Sequence, residues 1–158
     1  MVQWPAHYCQ QHKSLEVKLE QRDRSFYNHV TRNRTVSKRE QYQFYKTRLW
    51  RSLRLSILAR DLHLCQYCKA MGVITVGNTV DHVVPFEVKT EWKDKEDNLL
   101  TCCPDCHKFK TRWEQSYYGT GQGNAIRDVE PVTDVKRVAS IIFGMKSAKN
   151  DFDTPPQS

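Results

Sequence analysis

The spacing of apolar positions changes along this chain, and the changes divide it. From Arg39 to about Ala59, Phe44, Leu49, Leu53, Ile57 and Leu58 fall near a helical period with Trp50 beside them. This predicts a helix with one stripe turned to a core. Lys46, Arg48, Arg51 and Arg54 occupy the rest of its surface. Residues 61–63 read as a turn, and Gly72 and Gly77-Asn78 mark turns around the Val/Ile/Thr run at 73–76. Thr79–Val84 is predicted as a strand ended by Pro85, residues 86–97 as a charged loop, and Asn98–Thr101 as a second short strand. Pro104 suits the first turn of a helix that reaches about Tyr117, where Gly119, Gly121 and Gly123 stop it. Trp113 and Tyr117 share a face of that helix and are expected in the core. In the tail, Thr133 or Asp134 caps a segment carrying Val135, Val138, Ile141, Ile142 and Phe143. That segment is expected to dock on the domain or on another subunit. Residues 151–158 are expected to be disordered. Residues 15–38 are polar and charged, and predict a helix followed by a mobile basic stretch.

Helices mixed with a few short strands predict a small α+β fold. The expected organisation is a basic extension over 1–38, a central domain with its lead-in helix over 39–118, and a partly helical extension over 119–158. A 158-residue chain with 39% hydrophobic residues and a mean hydropathy of -0.73 has little core to spare. Such a domain usually needs a staple. No stretch approaches a membrane span, and the N-terminus lacks the apolar run of a signal peptide. The six cysteines are therefore expected in a reducing, cytoplasmic compartment, where Cys-x-x-Cys pairs point to metal rather than to disulfides. Net charge is +7, unevenly placed: residues 1–60 carry 13 Lys/Arg against 4 Asp/Glu, and residues 61–158 carry 12 against 14. The basic half suits a phosphate backbone. By charge alone DNA, RNA and an anionic membrane remain open.

The staple is legible. Cys65-x-x-Cys68 and Cys103-x-x-Cys106 place two sulfurs on each of two turns, enough to close a tetrahedral zinc site. Four sulfurs leave no open position, so the ion is structural. Cys102 competes with Cys103, but only Cys103 has the right spacing to Cys106, and Cys102 is expected as a buried thiol facing the other way. Cys9-x-x-His12 would be half of a second site. Between and beside the pairs stand Asp81-His82, Asn98 and His107, which a zinc clip does not need. If the two strands form a hairpin with the helix across it, Asp81 and His107 can reach one divalent ion. An oxygen and a nitrogen donor suit magnesium, manganese or another first-row ion. His82, the strand neighbour of Asp81, points to the opposite side and can act as general base on a water. Asn98 can hold the loop and His82 through backbone hydrogen bonds. Lys110 is a candidate phosphate contact, as are Arg51 and Arg54. The mixed charges of 87–97 favour a solvated loop, in which Trp92 either packs or stacks on a base.

These motifs together resemble the HNH endonucleases. The resemblance rests on Leu64-Cys65-Gln66-x-Cys68, Val80-Asp81-His82-Val83-x-Pro85, Asn98-Leu99 and Cys103-x-x-Cys106-His107-x-x-Lys110-Thr111. Upstream, Phe44-Tyr45-x-x-x-x-Trp50-Arg51-x-Leu53-Arg54 resembles the lead-in helix of small phage-encoded members, often encoded beside the DNA-packaging terminase. The resemblance implies a zinc-stapled ββα-metal (His-Me finger) core with flanking helices. It implies that Asp81 and His107 bind a catalytic divalent ion, that His82 is the base and that Asn98 orients it. The implied activity is metal-dependent hydrolysis of DNA, by nicking or double-strand cutting, leaving a 5′-phosphate and a 3′-hydroxyl. A phage or prophage protein in the host cytoplasm, working with terminase or portal proteins, is the implied setting. Many family members carry a further His or Asn three or four residues past the last His. Lys110 and Thr111 stand there in this sequence, so a third protein ligand is not expected. The alternative is a zinc-stabilised nucleic-acid-binding accessory subunit that does not cut; His82 separates the two, because a binding module has no use for a base.

Overall fold

The structure, a computed structural model, describes residues 36–121 and 125–153. Its elements run α1 (Val36–Lys46), α2 (Arg48–Arg60), α3 (Gln66–Ala70), β1 (Thr79–His82), β2 (Leu99–Cys102), α4 (Pro104–Tyr117) and α5 (Val135–Asp153), with 3₁₀ turns at Thr90–Trp92 and Glu96–Asn98. The reading of Cys9-x-x-His12 and most of that of residues 15–38 lie outside the described residues; residues 36–38, expected to end a mobile basic stretch, instead open α1.

The predicted lead-in helix is two helices. Thr47 leaves the helical region and its Oγ1 accepts from the Trp50 amide at 3.0 Å, which caps α2. The break resets the helical phase. Phe44 and Trp50 meet at 5.4 Å between ring centroids, and Leu49, expected in the stripe, is turned out to solvent at 56% exposure. Trp50, Leu53, Ile57 and Leu58 are then the buried face of α2.

β1 and β2 form an antiparallel pair with Asp81 opposite Leu100 and His82 opposite Leu99. Because successive strand residues face opposite sides, the hairpin separates two cores. Val80 and Leu99 join Phe44, Trp50, Leu53, Ile57, Leu58 and Phe86 on the α1–α2 side. Leu100 and Cys102 join the zinc-site cysteines, Phe109, Trp113, Val138 and Ile142 on the side of α3, α4 and α5. Hydrogen bonds fix the end of α2 to β2: Arg60 donates to the carbonyls of Leu99 (2.8 Å) and Glu96 (3.0 Å), and Asp61 Oδ2 accepts from the Thr101 amide at 2.7 Å.

Gly77 is required by close approach. A Cβ there would lie 2.7 Å from Thr101 Cγ2 and 2.9 Å from the Cys102 carbonyl oxygen, which is closer than packed atoms come. Its amide donates to His63 and that of Cys65 to Thr75, so the segment after α3 folds back along the knuckle. The tail helix docks on the domain, with Val138, Ala139 and Ile142 fully buried against the zinc unit. Asp134 caps it through Oδ1, which accepts from the Lys136 and Arg137 amides. α5 continues through Asp153, so residues 151–153, expected to be disordered, extend the helix instead. Residues 154–158 lie outside the described residues.

Candidate active site

The four predicted sulfurs come together. Cys65, Cys68, Cys103 and Cys106 are buried and their Sγ atoms all lie within 4.8 Å of one another. Tetrahedral zinc at a Zn–S distance of about 2.3 Å demands sulfur separations near 3.8 Å, and Cys68 lies 3.5 Å from Cys106 and 4.0 Å from Cys103. The donor set and its size therefore fit a structural zinc ion. Each pair opens a helix: Cys65 Sγ accepts from the Cys68 amide at the start of α3, and Cys103 Sγ from the Cys106 amide at the start of α4. Contact with Cys106 pulls the Cys65 thiol down to about 4. Cys102 is buried outside the cluster, and burial drives its thiol upward. Lys146 of α5 reaches the site, 3.2 Å from Cys106 Sγ and 2.6 Å from Asp105.

Beside this clip, β1 and α4 bring Asp81 and His107 together. His107 Nε2 lies 3.9 Å from Asp81 Oδ1, with the His107 side chain 46% exposed. Ligand atoms about 2.1 Å from one octahedral ion stand about 3.0 Å apart when adjacent and about 4.2 Å apart when opposite, so this oxygen–nitrogen pair is near enough to share a divalent ion after a small shift of the half-exposed His107 ring. Burial by itself would raise Asp81, but the Lys110 ammonium and His107 outweigh it and hold the carboxyl below its ordinary value.

His82 sits on the other face of β1. Its ring stacks on Trp50 with centroids 5.7 Å apart at 10°. His82 Nε2 is 2.9 Å from the Lys93 carbonyl. A carbonyl only accepts, so Nε2 carries the hydrogen and Nδ1 keeps the lone pair. Tyr45 lies 3.5 Å from Nδ1. Burial, followed by the Asp81 charge, raises Tyr45 to about 12, so its hydroxyl stays protonated and can donate. Burial also lowers His82 below the ordinary histidine value, against the upward pull of the Lys93 carbonyl and Asp81. A groove between α1 and α4 is lined by Asp81, His82, His107, Tyr45, Gln41 and Glu114.

Asn98, placed in a strand by sequence, ends the 3₁₀ turn before β2. Its Oδ1 accepts from the Val84 amide at 2.8 Å, and its Nδ2 donates to the carbonyls of Val84 (3.0 Å) and Trp92 (3.3 Å). Trp92 precedes Lys93, whose carbonyl holds His82, so Asn98 reaches the imidazole through one peptide of the loop. The Trp92 side chain is half-buried.

Lys110 is where sequence reasoning needs correction. As a candidate phosphate contact it would have to be exposed, and it is fully buried. The buried face of α4 is Cys106, Phe109, Lys110, Trp113 and Glu114, so Lys110 falls on the stripe that meets the sheet. Its ammonium donates to the His82 carbonyl at 2.7 Å, pairs with Asp81 Oδ2 at 3.0 Å and touches Glu114 Oε1. Burial lifts Glu114 to about 7 despite Lys110. Arg54 donates to the Asn78 carbonyl at 2.7 Å, and the exposed Arg51 makes a longer bond to the Lys46 carbonyl at 3.3 Å. Tyr45, Trp50, Glu114 and Lys146 were not singled out for the site by sequence. The available signal for Glu114 was a carboxylate four residues after a lysine on one apolar stripe.

A sequence profile of the HNH endonuclease family matches residues 65–112. No curated protein matches the chain. Among solved structures, the chain is similar to the HNH endonuclease of the deep-sea thermophilic bacteriophage GVE2, solved with manganese ion. The two share 36% identity at a TM-score of 0.51, over 52% of this chain and 90% of the phage protein. With the two cysteine pairs, the antiparallel hairpin and the following helix all within or beside the matched span, this chain belongs to the HNH endonuclease family.

Proposed function

We propose that this nuclease cuts DNA, with His82 Nδ1 as the general base and Asp81 Oδ1 and His107 Nε2 as the protein ligands of a catalytic divalent ion. The observation that carries the reading is the His82 tautomer. Its Nε2 is tied to the Lys93 carbonyl, so the nitrogen turned toward Tyr45 is the one that carries the lone pair and can accept a proton. Asn98 acts at one remove, by holding the loop that supplies that carbonyl. His82 Nδ1 takes a proton from a water as the water oxygen attacks phosphorus and the bond to the departing oxygen breaks. A divalent ion at Asp81 and His107, magnesium or manganese by its donors, would offset charge on the phosphate and the leaving oxygen. The four cysteines stay outside the chemistry and hold the hairpin and α4 in place.

DNA as substrate is supported by the positive charge of the lead-in helices, where residues 36–60 hold seven Lys/Arg and one Glu. Arg51 is the exposed candidate contact there. The phage origin of the similar nuclease supports a phage or prophage setting in a host cytoplasm; a place beside the packaging terminase rests on the lead-in residues 44–54 alone. A nuclease unit over 39–118 with appended segments fits this arrangement.

The test is supercoiled plasmid with a panel of divalent ions, wild type against His82→Ala. Nicking should fall roughly 100- to 10,000-fold, with zinc content and DNA affinity retained. An active variant would remove His82 from the mechanism. A wild-type protein that binds DNA and cuts with none of the ions would favour a binding subunit.

A further inference from the structure

Lys110 is a cation with no exposed surface at the centre of the nuclease unit. Its ammonium donates to the His82 carbonyl oxygen and to Glu114 Oε1, and it forms an ion pair with Asp81 Oδ2. Desolvating an ammonium is costly, and an apolar side chain could occupy this stripe without that cost. The charge therefore points to the groups it contacts rather than to packing. Two of the three belong to β1, one on each candidate catalytic residue.

The geometry divides the Asp81 carboxylate. Oδ2 faces Lys110 at 3.0 Å, and Oδ1 faces His107 at 3.9 Å. With one oxygen already engaged, an ion is left the other. The same ammonium fixes the peptide carbonyl of His82, so the orientation of the base and that of the carboxylate are set by one atom.

We propose that Lys110 is a positioning residue that restricts Asp81 to one-oxygen ligation of the catalytic ion and locks the His82 peptide in register with it. This rests on the roles proposed above for Asp81 and His82. A resident positive charge beside a ligand oxygen also opposes the incoming ion, so Lys110 trades metal affinity for alignment. That trade separates it from a lysine that merely stabilises the fold.

The experiment uses zinc-replete full-length protein carrying Lys110→Met, which keeps the stem and removes the charge. Manganese binding is measured by calorimetry without DNA, and plasmid nicking is measured at saturating manganese. The expected result is a kcat roughly 10- to 100-fold lower with manganese bound about tenfold more tightly. Manganese affinity that is unchanged or weaker in the zinc-replete variant overturns the proposal, whatever happens to kcat. If the single variant loses its zinc, Lys110→Met/Glu114→Met removes the ammonium together with its buried counter-charge and is measured in the same way. Zinc loss in both variants also overturns it, because Lys110 would then be a requirement of the fold rather than of the site. Asp81→Asn is the control. If it leaves manganese binding and nicking intact, the assignment of Asp81 fails and takes the Lys110 proposal with it; if it weakens manganese binding, the Lys110→Met result tests the positioning role alone.

Discussion

His82 is enclosed on several sides, by the Trp50 ring, the Tyr45 hydroxyl and the Lys93 carbonyl. Enclosure has a measurable consequence. Burial favours the neutral imidazole and sets its pKa below the ordinary value of 6.5. The neutral form is the one that accepts a proton, so activity should climb as pH rises through that lowered value and level off above it. The acidic limb of the kcat/KM profile is therefore expected below pH 6.5. A limb at or above 6.5 would show that the rate-controlling group is not this buried histidine. Asp81 and His82 are sequence neighbours with opposite surroundings, which is a property of strands rather than of these residues. Sequence placed them on opposite faces correctly because alternation is local. It could not place Lys110, since whether a lysine on an apolar stripe is exposed depends on which helix face meets the sheet.

Among the elements, the break at Thr47 matters most to the site. A continuous helix would have put Leu49 inward; the capped restart puts Trp50 there, under the imidazole. Thr47 Oγ1 both caps α2 and donates to the Phe44 carbonyl at 2.7 Å. Thr47→Ala should cost about 1 kcal/mol, read as a lower Tm, with nicking reduced as the Trp50–His82 stack loosens. An unchanged Tm would mean the break is imposed by packing and not by the cap. The zinc turns carry more. They fix α3 and the start of α4, and α5 is packed over both. Cys65→Ser should release zinc and unfold this side of the hairpin, because the binding energy of a structural ion is folding energy. Retained Tm and activity would refute the zinc assignment. Lys146 ties α5 to the clip through Cys106 Sγ and Asp105. Lys146→Met should therefore speed zinc loss to a chelator, and an unchanged rate would leave α5 as packing alone.

At the scale of the molecule, two cores on either face of a two-stranded hairpin hold the candidate catalytic groups between them. A two-stranded sheet is marginal alone; here helices cover both sides and a four-sulfur site stiffens one. Two ions with separate duties follow. Brief treatment with EDTA should stop cutting while zinc and helical content remain, and manganese should restore it. Loss of zinc in step with activity would mean the two sites cannot be separated. The chain by itself determined the parts whose signal is local: the cysteine spacing, the Asp81-His82 alternation, the Pro104 start of α4 and the capped helix of the tail. Only tertiary structure decided the rest. Which side of α2 faces inward depends on a break at one threonine, the inward turn of Lys110 depends on where α4 meets β1, and the tautomer of His82 depends on a carbonyl eleven residues away. Each of these is fixed by contacts between segments distant in sequence, where burial and hydrogen-bond partners outweigh what a residue prefers on its own.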